Sequence, residues 1–311
     1  MNLLNFSIIV AHSTLEHMKQ SLTYYVTLGV IKLKGVKKNF SKSPIDYLKI
    51  RKEDIPQIPS KLVKKYVVEH RIILKSKITE ILQPNKSNQL ILYIHGGAFI
   101  SGPAQHHWDS IQTILIKTRK NVWMCNYPKA PEHKISEISK NIDAVYAAAL
   151  ESYLPKNIVL IGDSVGGTLI TALVQRLIAS GIQTPEKIIL ISPVMDASLS
   201  NPQIDVVDAI DPMLSKKGVL SAKMMCAENE DLTNTMISPI NGCFQNFPKT
   251  YFYAAKNDIT FPDQVLAIEK IKKLNVNLSV TYGSNMPHIW PLLPVMSEAK
   301  IALNEIIEIL Q

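Results

Sequence analysis

The sequence is poor in cysteine, and the few cysteines it has are widely separated. Cys125, Cys226 and Cys243 are the only three among 311 residues, and no two of them have the C-x-x-C spacing of a metal or redox site. A sparse, odd set of thiols excludes a disulfide framework and is typical of a reducing compartment. The sequence therefore predicts a cytoplasmic protein.

Clustered metal ligands are also lacking. No group of His, Asp and Glu has ligand spacing, and the adjacent His106 and His107 have no evident third partner in the sequence. We interpret this pair as surface or pocket-rim residues. Neither a metal nor a cofactor is predicted.

Long apolar runs are missing as well. No run in the sequence reaches the roughly 18 residues that are needed to span a bilayer. Residues 1–11 contain a short apolar stretch, but no basic residue precedes it, so they do not predict a signal peptide. A formal net charge of +8 and a lysine cluster at residues 32–38 leave peripheral membrane contact open, although a solvated helix end explains the lysines equally well. No nucleic-acid-binding motif accompanies this charge, so nucleic acid is not predicted as a partner.

The first segment has a helical pattern. Ser13 and Glu16 have the spacing of a capping box, and apolar residues that include Leu22 and Tyr25 then recur at helical intervals. We expect the helix to weaken or end near Gly29. We expect its apolar stripe to pack on a neighbouring element.

Beyond this segment, strand and helix patterns alternate. A hydrophobic share of 46% supports a large core. Residues 67–74 and 78–82 predict an antiparallel pair of strands. Further strands are predicted at 89–95, 122–127, 157–163, 187–193, 250–255 and 277–282, and helices at 108–117, 136–150, 165–179, 262–274 and 296–310. Residues 188–191 are apolar at every position, so both faces of that strand must be covered, which predicts an α/β fold with a mostly parallel sheet between helices.

One interval does not fit this alternation. The interval 196–248 is long and contains scattered prolines, which is typical of a functional insertion or lid. We expect its first part, together with the N-terminal helices, to cover the carboxyl ends of the strands, where ligands bind in such sheets.

The stretch V-L-I-G-D-S-V-G-G at residues 159–167 supplies a candidate nucleophile. Ser164 falls between a predicted strand and a predicted helix, with Gly162 and Gly166 two residues before and after it. A sharp strand-to-helix turn exposes the serine hydroxyl and needs small neighbours, because strand and helix approach closely there. The helix N-terminus behind Ser164 favours negative charge near it. A simple turn remains the alternative reading.

A serine nucleophile needs a base and an acid, and the sequence holds both in the order Ser, Asp, His. Asp258 and His288 each follow a predicted strand. Each has an ordinary alternative reading, as a helix cap and as a surface loop residue. Asp258 is preferred to Asp263 because Pro262 is expected to start a helix that already contains Asp263.

Oxyanion donors are predicted in the glycine-containing loop after the strand at 89–95. The backbone N–H groups of Gly96 and Gly97 can approach a substrate oxygen closely, and the N–H of Val165 would complete the hole. His95 is interpreted as a structural residue that holds this loop.

Several motifs together resemble the hormone-sensitive-lipase-like α/β-hydrolases. The segments are H-G-G-A at 95–98, Y-P-K-A-P-E-H at 127–133, G-D-S-V-G-G at 162–167, S-P-V-M-D at 192–196 and S-P-I at 238–240. The resemblance covers roughly residues 85 to 295. It implies an α/β-hydrolase fold with residues 1–60 as an N-terminal helical cap segment, 61–195 and 236–311 as the core, and 196–235 as a cap or lid insertion.

The resemblance also implies an activity and a set of roles. Ser164, Asp258 and His288 would form the triad of a serine carboxylesterase or lipase that acts on small, short- to medium-chain acyl esters. Ala98 joins the oxyanion donors, and Phe99 and Ile289 are the predicted substrate-binding residues. Glu132 is expected to support the catalytic loops without a chemical step. A homodimer through the sheet edge near residues 277–282 is implied at the level of the family.

The sequence departs from the family pattern at three points. Ala98 replaces the third glycine and Val165 replaces an alanine, but both keep the N–H group. Asp258 is followed by Ile259 and Thr260, where the family often has Pro-Leu. Two other functions remain as alternatives: an amidase, deacetylase or thioesterase with the same triad, and a non-catalytic ligand-binding protein, which would usually lack a triad member.

Overall fold

An eight-stranded sheet forms the centre of the protein in the computed structural model, which describes residues 19–311. The apolar, β-branched runs recognised in the sequence form its strands. The strands are β1 (Val67–Ile73), β2 (Ser76–Leu82), β3 (Leu90–Ile94), β4 (Asn121–Asn126), β5 (Ile158–Asp163), β6 (Lys187–Ile191), β7 (Lys249–Ala255) and β8 (Leu278–Gly283).

The order of the strands is β1-β2-β4-β3-β5-β6-β7-β8. β1 and β2 pair antiparallel, and β2 pairs antiparallel with β4, whereas every pair from β4 to β8 is parallel. The predicted antiparallel pair and the predicted mostly parallel sheet are therefore confirmed. The carboxyl ends of the parallel strands lie along one edge, which is where ligands bind in this type of sheet.

Helices cover both faces of the sheet. Within residues 19–311 they are α1 (Leu22–Leu33), α2 (Val36–Asn39), α3 (Tyr47–Ile50), α4 (Ser60–Val63), α5 (Gln105–Thr118), α6 (Ile135–Ser152), α7 (Val165–Ala179), α8 (Gln203–Ile210), α9 (Lys216–Cys226), α10 (Phe261–Lys272) and α11 (Ser297–Leu310). In the part of the chain that the structure describes, no helix has both the length and the apolar character for crossing a bilayer.

Alternate residues of each central strand enter different apolar clusters. In β3, Leu92 and Ile94 belong to the cluster on one face, and Ile91 and Tyr93 belong to the cluster on the other. All five residues of this strand are completely buried. Burial of both faces is the reason that the sequence pattern is continuous rather than alternating.

Helix α1 differs from its sequence prediction in two respects. The capping box at residues 13–16 lies outside the described residues, and the helix begins at Leu22 after Ser21, whose Oγ accepts the Tyr24 N–H. The helix does not end near Gly29, since it continues to Leu33; a weakening at Gly29 stays a prediction. The expected packing of the apolar stripe is also wrong for its described part, because Leu22 is 80% exposed and Tyr25 is 60% exposed.

Polar anchors explain which face of α1 is buried. The Ser21 N–H and Oγ–H donate to the Glu298 carboxylate on α11, at 2.6 and 2.9 Å. The Tyr24 hydroxyl donates to the Asn285 carbonyl at 2.8 Å. These bonds turn Tyr24 and Ile31 toward the protein and leave the other side of the helix in solvent.

The N-terminal segment packs against the insertion that contains α8 and α9. The Ile45 N–H donates to Ser221 Oγ on α9 at 2.9 Å. Gly218 of α9 approaches the backbone of Phe40 so closely that an added Cβ would lie 1.7 Å from its carbonyl oxygen. This association supports the prediction that both segments form one cap, although the assigned boundaries of that cap remain predictions.

Helix α7 lies very close to strand β3, which explains why glycines flank Ser164. A Cβ on Gly166 would lie 2.0 Å from the Ile94 carbonyl oxygen, and a Cβ on Gly162 would lie 2.6 Å from the Gly166 carbonyl carbon. Both contacts involve backbone atoms that cannot rotate away. The glycines are therefore required by the close packing of strand and helix.

We expect Gly166→Ala to lower the free energy of unfolding by about 3 kcal/mol or more, because strand and helix must separate to admit the methyl group. Gly29→Ala is the matched control, since nothing lies within 4 Å of the added Cβ. In the interior of α1 it should stabilise the protein by about 0.5–1 kcal/mol. Urea unfolding measures the change in the free energy of unfolding for both variants. A Gly166→Ala protein as stable as the native one would contradict the packing argument.

Candidate active site

Ser164 lies at the turn between β5 and α7. Its backbone has φ 51° and ψ −124°, a strained conformation for a residue with a side chain. Its N–H donates to the Ile191 carbonyl of β6 at 2.8 Å, which holds the turn in place. Ser164 is 8% exposed and directly precedes the N-terminus of α7.

His288 and Asp258 form a buried pair. His288 Nδ1 lies 2.6 Å from Asp258 Oδ2, and the two side chains are 5% and 0% exposed. Because a carboxylate only accepts, Nδ1 carries the hydrogen and Nε2 is left to act on another group. Asp258 Oδ1 accepts the Thr260 N–H at 2.9 Å, so the carboxylate is held at both oxygens.

Asp263 occupies a different environment. It lies inside α10, as the position of Pro262 predicted, and its Oδ1 accepts a hydrogen bond from Asn201 Nδ2 at 3.1 Å. Burial raises its pKa to about 6. The structure therefore pairs His288 with Asp258 and places Asp263 with the polar residues of the insertion.

Hydrogen bonds between loops bring the histidine to the strand end that bears the serine. The Ile289 N–H donates to Ser192 Oγ at 3.0 Å, and the Ser192 N–H donates to the Tyr253 carbonyl at 2.8 Å. Ser192 directly follows Ile191, which accepts the Ser164 N–H. The loops after β5, β6 and β8 are thus connected in a continuous series.

The charge of Asp258 determines the acidity of His288. Burial by itself lowers the pKa of His288, but the Asp258 carboxylate and its hydrogen bond outweigh this effect and raise the pKa above its ordinary value. The Asp258 carboxylate therefore stabilises the imidazolium form of His288.

Asp211 is a residue of this site that sequence reasoning missed. It lies between α8 and α9, and its Oδ2 accepts the Ile259 N–H next to Asp258 at 2.9 Å. Burial and the nearby Asp258 charge raise its pKa to about 7. Its only sequence signal was an Asp before Pro212, which is also typical of an ordinary turn.

The loop after β3 holds most of the predicted oxyanion donors. Gly97 and Ala98 have φ values of 118° and 53°, so their peptide groups turn away from ordinary strand geometry. The Gly96 N–H is already occupied, because it donates to Asp163 Oδ1 at 3.1 Å. Among the described residues, no acceptor bonds the N–H groups of Gly97, Ala98 or Val165, so these three are available to a substrate.

Asp163 connects this loop with the turn that holds Ser164. Besides Gly96, it accepts hydrogen bonds from the Tyr93 hydroxyl at 3.1 Å and from His107 Nε2 at 3.3 Å. Burial alone would raise the pKa of Asp163, but the neighbouring histidines, His107 first, lower it below its ordinary value.

The interpretation of His107 as a surface or rim residue is wrong. It is 2% exposed, and Asp163 is the third partner that the sequence did not reveal beside His106 and His107. His107 Nδ1 accepts the Ala104 N–H at 2.8 Å, so both of its ring nitrogens are used within the protein. We therefore interpret His107 and Asp163 as an anchor of the loop between β3 and α5, residues 95–104, which is called the oxyanion loop below.

His95 holds the same loop from behind. Its Nδ1 donates to the Gly96 carbonyl at 2.6 Å, and its ring stacks on Tyr127 with centroids 4.5 Å apart. Burial lowers its pKa well below the ordinary value, so the ring is neutral and suited to a structural role.

Arg51, which the sequence did not single out, secures the outer side of the loop. It forms an ion pair with Glu132 at 2.7 Å and donates to the carbonyls of Ala130 and Ile100, each at 2.6 Å. Asp54 nearby accepts the Gly102 N–H at 2.7 Å. The expected supporting role of Glu132 is thus exerted through Arg51.

Comparison with known proteins agrees with this geometry. A family model described as the α/β-hydrolase fold matches residues 91–292, more than half of the chain. The chain belongs to the α/β-hydrolase fold family. The resemblance to the hormone-sensitive-lipase-like members is confirmed by the relatives that follow.

Among curated relatives, an esterase of Acinetobacter venetianus is 29% identical over 74% of this α/β-hydrolase and 77% of the relative. A carboxylesterase/phospholipase of Mycobacterium tuberculosis is 25% identical over 71% of the chain and 61% of the relative. The crystal structure of a candidate esterase from Staphylococcus aureus superposes with a TM-score of 0.77 at 30% identity, covering 84% and 88% of the two chains. An esterase of the bacterial hormone-sensitive lipase family superposes with a TM-score of 0.81 at 22% identity, covering 94% and 98%, and shares the fold.

We expect Arg51→Met to loosen the oxyanion loop of this α/β-hydrolase without unfolding it. Removing the guanidinium frees the Ala130 and Ile100 carbonyls, so the hydrogen-bonded amide hydrogens of residues 100–102 should exchange faster, by roughly 10-fold for a loss of about 1.4 kcal/mol of local stability. Arg176→Met is the control, because Arg176 forms a similar surface ion pair with Asp143 away from the site. Equal exchange of the loop in both variants would refute the role of Arg51.

Proposed function

We propose that this chain hydrolyses carboxylic esters, with Ser164 as nucleophile, His288 as general base and acid, and Asp258 as the group that orients His288. The observation that carries the proposal is the buried His288–Asp258 pair, 2.6 Å apart, at the strand edge that bears the strained Ser164. Relatives named as an esterase and as a carboxylesterase/phospholipase support ester chemistry for this arrangement.

The acylation half of the reaction begins at Ser164. His288 Nε2 takes the proton of the Ser164 hydroxyl while Oγ attacks the carbonyl carbon of the ester. The N–H groups of Gly97, Ala98 and Val165 stabilise the negative charge that develops on the carbonyl oxygen. The bond to the alcohol oxygen then breaks, and His288 returns the proton to the departing alcohol.

Deacylation repeats these steps with water. His288 removes a proton from water as the water oxygen attacks the acyl carbon. The bond between the acyl carbon and Ser164 Oγ then breaks, and His288 returns the proton to Ser164 Oγ. The carboxylic acid leaves, and the starting enzyme is restored. Asp258 stabilises the imidazolium that forms twice in each cycle, which agrees with the raised pKa of His288.

Two apolar residues are proposed to contact the substrate. Phe99 follows Ala98 directly and is completely buried, with φ 66°. Ile289 follows His288 and is 6% exposed, with φ 50°. Their places beside an oxyanion donor and beside the base support the predicted contact with short- to medium-chain acyl esters.

Partners and location are also part of the proposal. The strand β8 forms one edge of the sheet and is only partly buried, which suits the expected homodimer. The exposed Leu22 and Tyr25, together with basic charge, suit peripheral membrane contact. Three free cysteines agree with a cytoplasmic location. Small-angle scattering that shows a monomer at micromolar concentration would overturn the proposed homodimer.

We expect Ser164→Ala to lower kcat/KM for p-nitrophenyl esters by roughly 10⁴-fold or more, because no other group can take over the attack. Ser180→Ala, at the exposed end of the same helix, should retain native activity. Hydrolysis of esters from acetate to decanoate by all three proteins measures the loss and the acyl-length optimum. A folded native protein that hydrolyses none of them would overturn the proposed function.

We expect Asp258→Asn to lower kcat by about 10³- to 10⁴-fold, because the tautomer of His288 is no longer fixed. In the native protein kcat/KM should fall as the pH drops through the raised pKa of His288, since only the neutral ring accepts a proton. Without the Asp258 charge that pKa falls, so the acidic limb of the profile should move to lower pH.

Asp263→Asn is the control for this profile, since Asp263 contacts Asn201 and not His288. Its pH dependence and kcat should match those of the native protein. A larger loss in Asp263→Asn than in Asp258→Asn would show that the acid has been assigned to the wrong residue.

A further inference from the structure

Lys223 carries a buried amine that forms no ion pair with any described residue. It lies on α9 of the insertion, its residue exposure is 0%, and its Nζ has no hydrogen-bond partner among the described residues. Nζ is 4.4 Å from the centre of the Phe99 ring. A cation over an aromatic face is attracted by it, but the ring supplies no hydrogen-bond acceptor of ordinary strength.

Nothing else in the described surroundings neutralises this amine. The titratable group whose charge would act on Lys223 is the thiol of Cys226, one helical turn away, and burial raises the pKa of that thiol to about 12, so it is neutral. Burial lowers the pKa of Lys223 itself to about 7. A charged, unpaired amine in the interior costs several kcal/mol, so burial favours its neutral form until an anion reaches it. An incoming carboxylate would make the charged form favourable again.

The position of Lys223 indicates where that partner would bind. Phe99 is the residue after Ala98, whose free N–H is a proposed oxyanion donor. The Lys223 amine therefore lies against the Phe99 ring, beside the loop that would receive the substrate carbonyl oxygen. Lys223 extends from α9 of the insertion to Phe99, whereas the oxyanion loop belongs to the central sheet region.

We propose that Lys223 is a specificity-determining residue that binds a carboxylate on the ester substrate, so that the enzyme prefers anionic esters to neutral ones of the same shape. The proposal rests on the proposed ester hydrolysis. A carboxylate would satisfy the three N–H donors of the ammonium and supply the charge that the interior lacks. The carboxylate can belong to the acyl chain or to the alcohol, and the substrates below separate these two sources.

The kinetic test compares esters of similar shape, of which one member of each pair carries a carboxylate and the other is neutral. For the acyl side, p-nitrophenyl hydrogen glutarate is paired with p-nitrophenyl 5-methylhexanoate, in which an isopropyl group replaces the carboxylate. For the alcohol side, 4-acetoxybenzoate is paired with 4-isopropylphenyl acetate. We expect the native protein to prefer the anionic member of one pair, and that pair identifies the source of the carboxylate.

Lys223→Met keeps the length of the side chain and removes its charge. We expect it to lower kcat/KM for the preferred anionic ester by about 10- to 100-fold, the effect of losing a hydrogen bond to a charged group. Its activity on the neutral partner should stay within about threefold of native. Lys217→Met, on the exposed side of the same helix, should change neither rate. An equal change in both esters, or no anionic preference in the native protein, would overturn the proposal.

A binding measurement separates this inference from the proposed function. Glutarate, added to Ser164→Ala at constant ionic strength, should raise its melting temperature, and the shift should disappear in Ser164→Ala/Lys223→Met. If no ester is hydrolysed but this shift is seen, the proposed function fails and the anion site stands. If neutral esters are hydrolysed but glutarate has no effect that depends on Lys223, the anion site fails and the proposed function stands.

Folding of the variants is followed in the same experiment. Because Met fills the space without an unpaired amine, Lys223→Met should melt at or above the native temperature. Lys223→Gln is the second variant, and it should retain part of the anionic preference because it keeps a hydrogen-bond donor. A Lys223→Gln protein with the full native preference would show that the charge of Lys223 is not what binds the substrate.

Discussion

The site depends on the close crossing of β3, β5 and α7. Gly166 touches the Ile94 carbonyl, and Gly96 lies so close to Asp163 and Ser164 that a Cβ would meet the Asp163 carboxylate at 2.2 Å. This contact sets the distance between the nucleophile turn and the oxyanion loop. A buried carboxylate, Asp163, then joins them by accepting the Gly96 N–H. Preorganised donors act strongly only when they cannot move, so the packing of backbone on backbone underlies the proposed chemistry.

Segments outside the central sheet hold this arrangement in place. Arg51 and Asp54 bind the outer side of the oxyanion loop, and Asp211 binds the backbone beside Asp258. Each comes from the N-terminal segment or the insertion, which also contact each other. The N-terminal segment and the insertion therefore supply hydrogen bonds to two loops of the proposed site. Lys223 extends this role to the recognition of substrate, as a cap residue that reaches the core beside Phe99.

Sequence reasoning succeeded where a local rule has one physical solution. The strands were predictable because both of their faces are buried, and the serine turn was predictable because only glycines fit beside it. It failed where a long-range contact chooses between local alternatives. The apolar pattern of α1 is real, but Ser21 and Tyr24 bind distant groups and turn the other face inward. The histidine pair was misread because Asp163, its partner, lies 56 residues from His107 in the chain.

The sequence by itself determined the order and type of the central elements, the nucleophile turn, and the position of an acid and a histidine after later strands. These features follow from periodicity and from glycine geometry, which act between near neighbours in the chain. Only the tertiary structure decided that His288 pairs with Asp258, that the Gly96 N–H is already occupied, and that Lys223 is buried without a partner. Such facts depend on which groups meet across the fold, and hydrogen bonds and buried charges act over a few ångströms of space, whatever their separation along the chain.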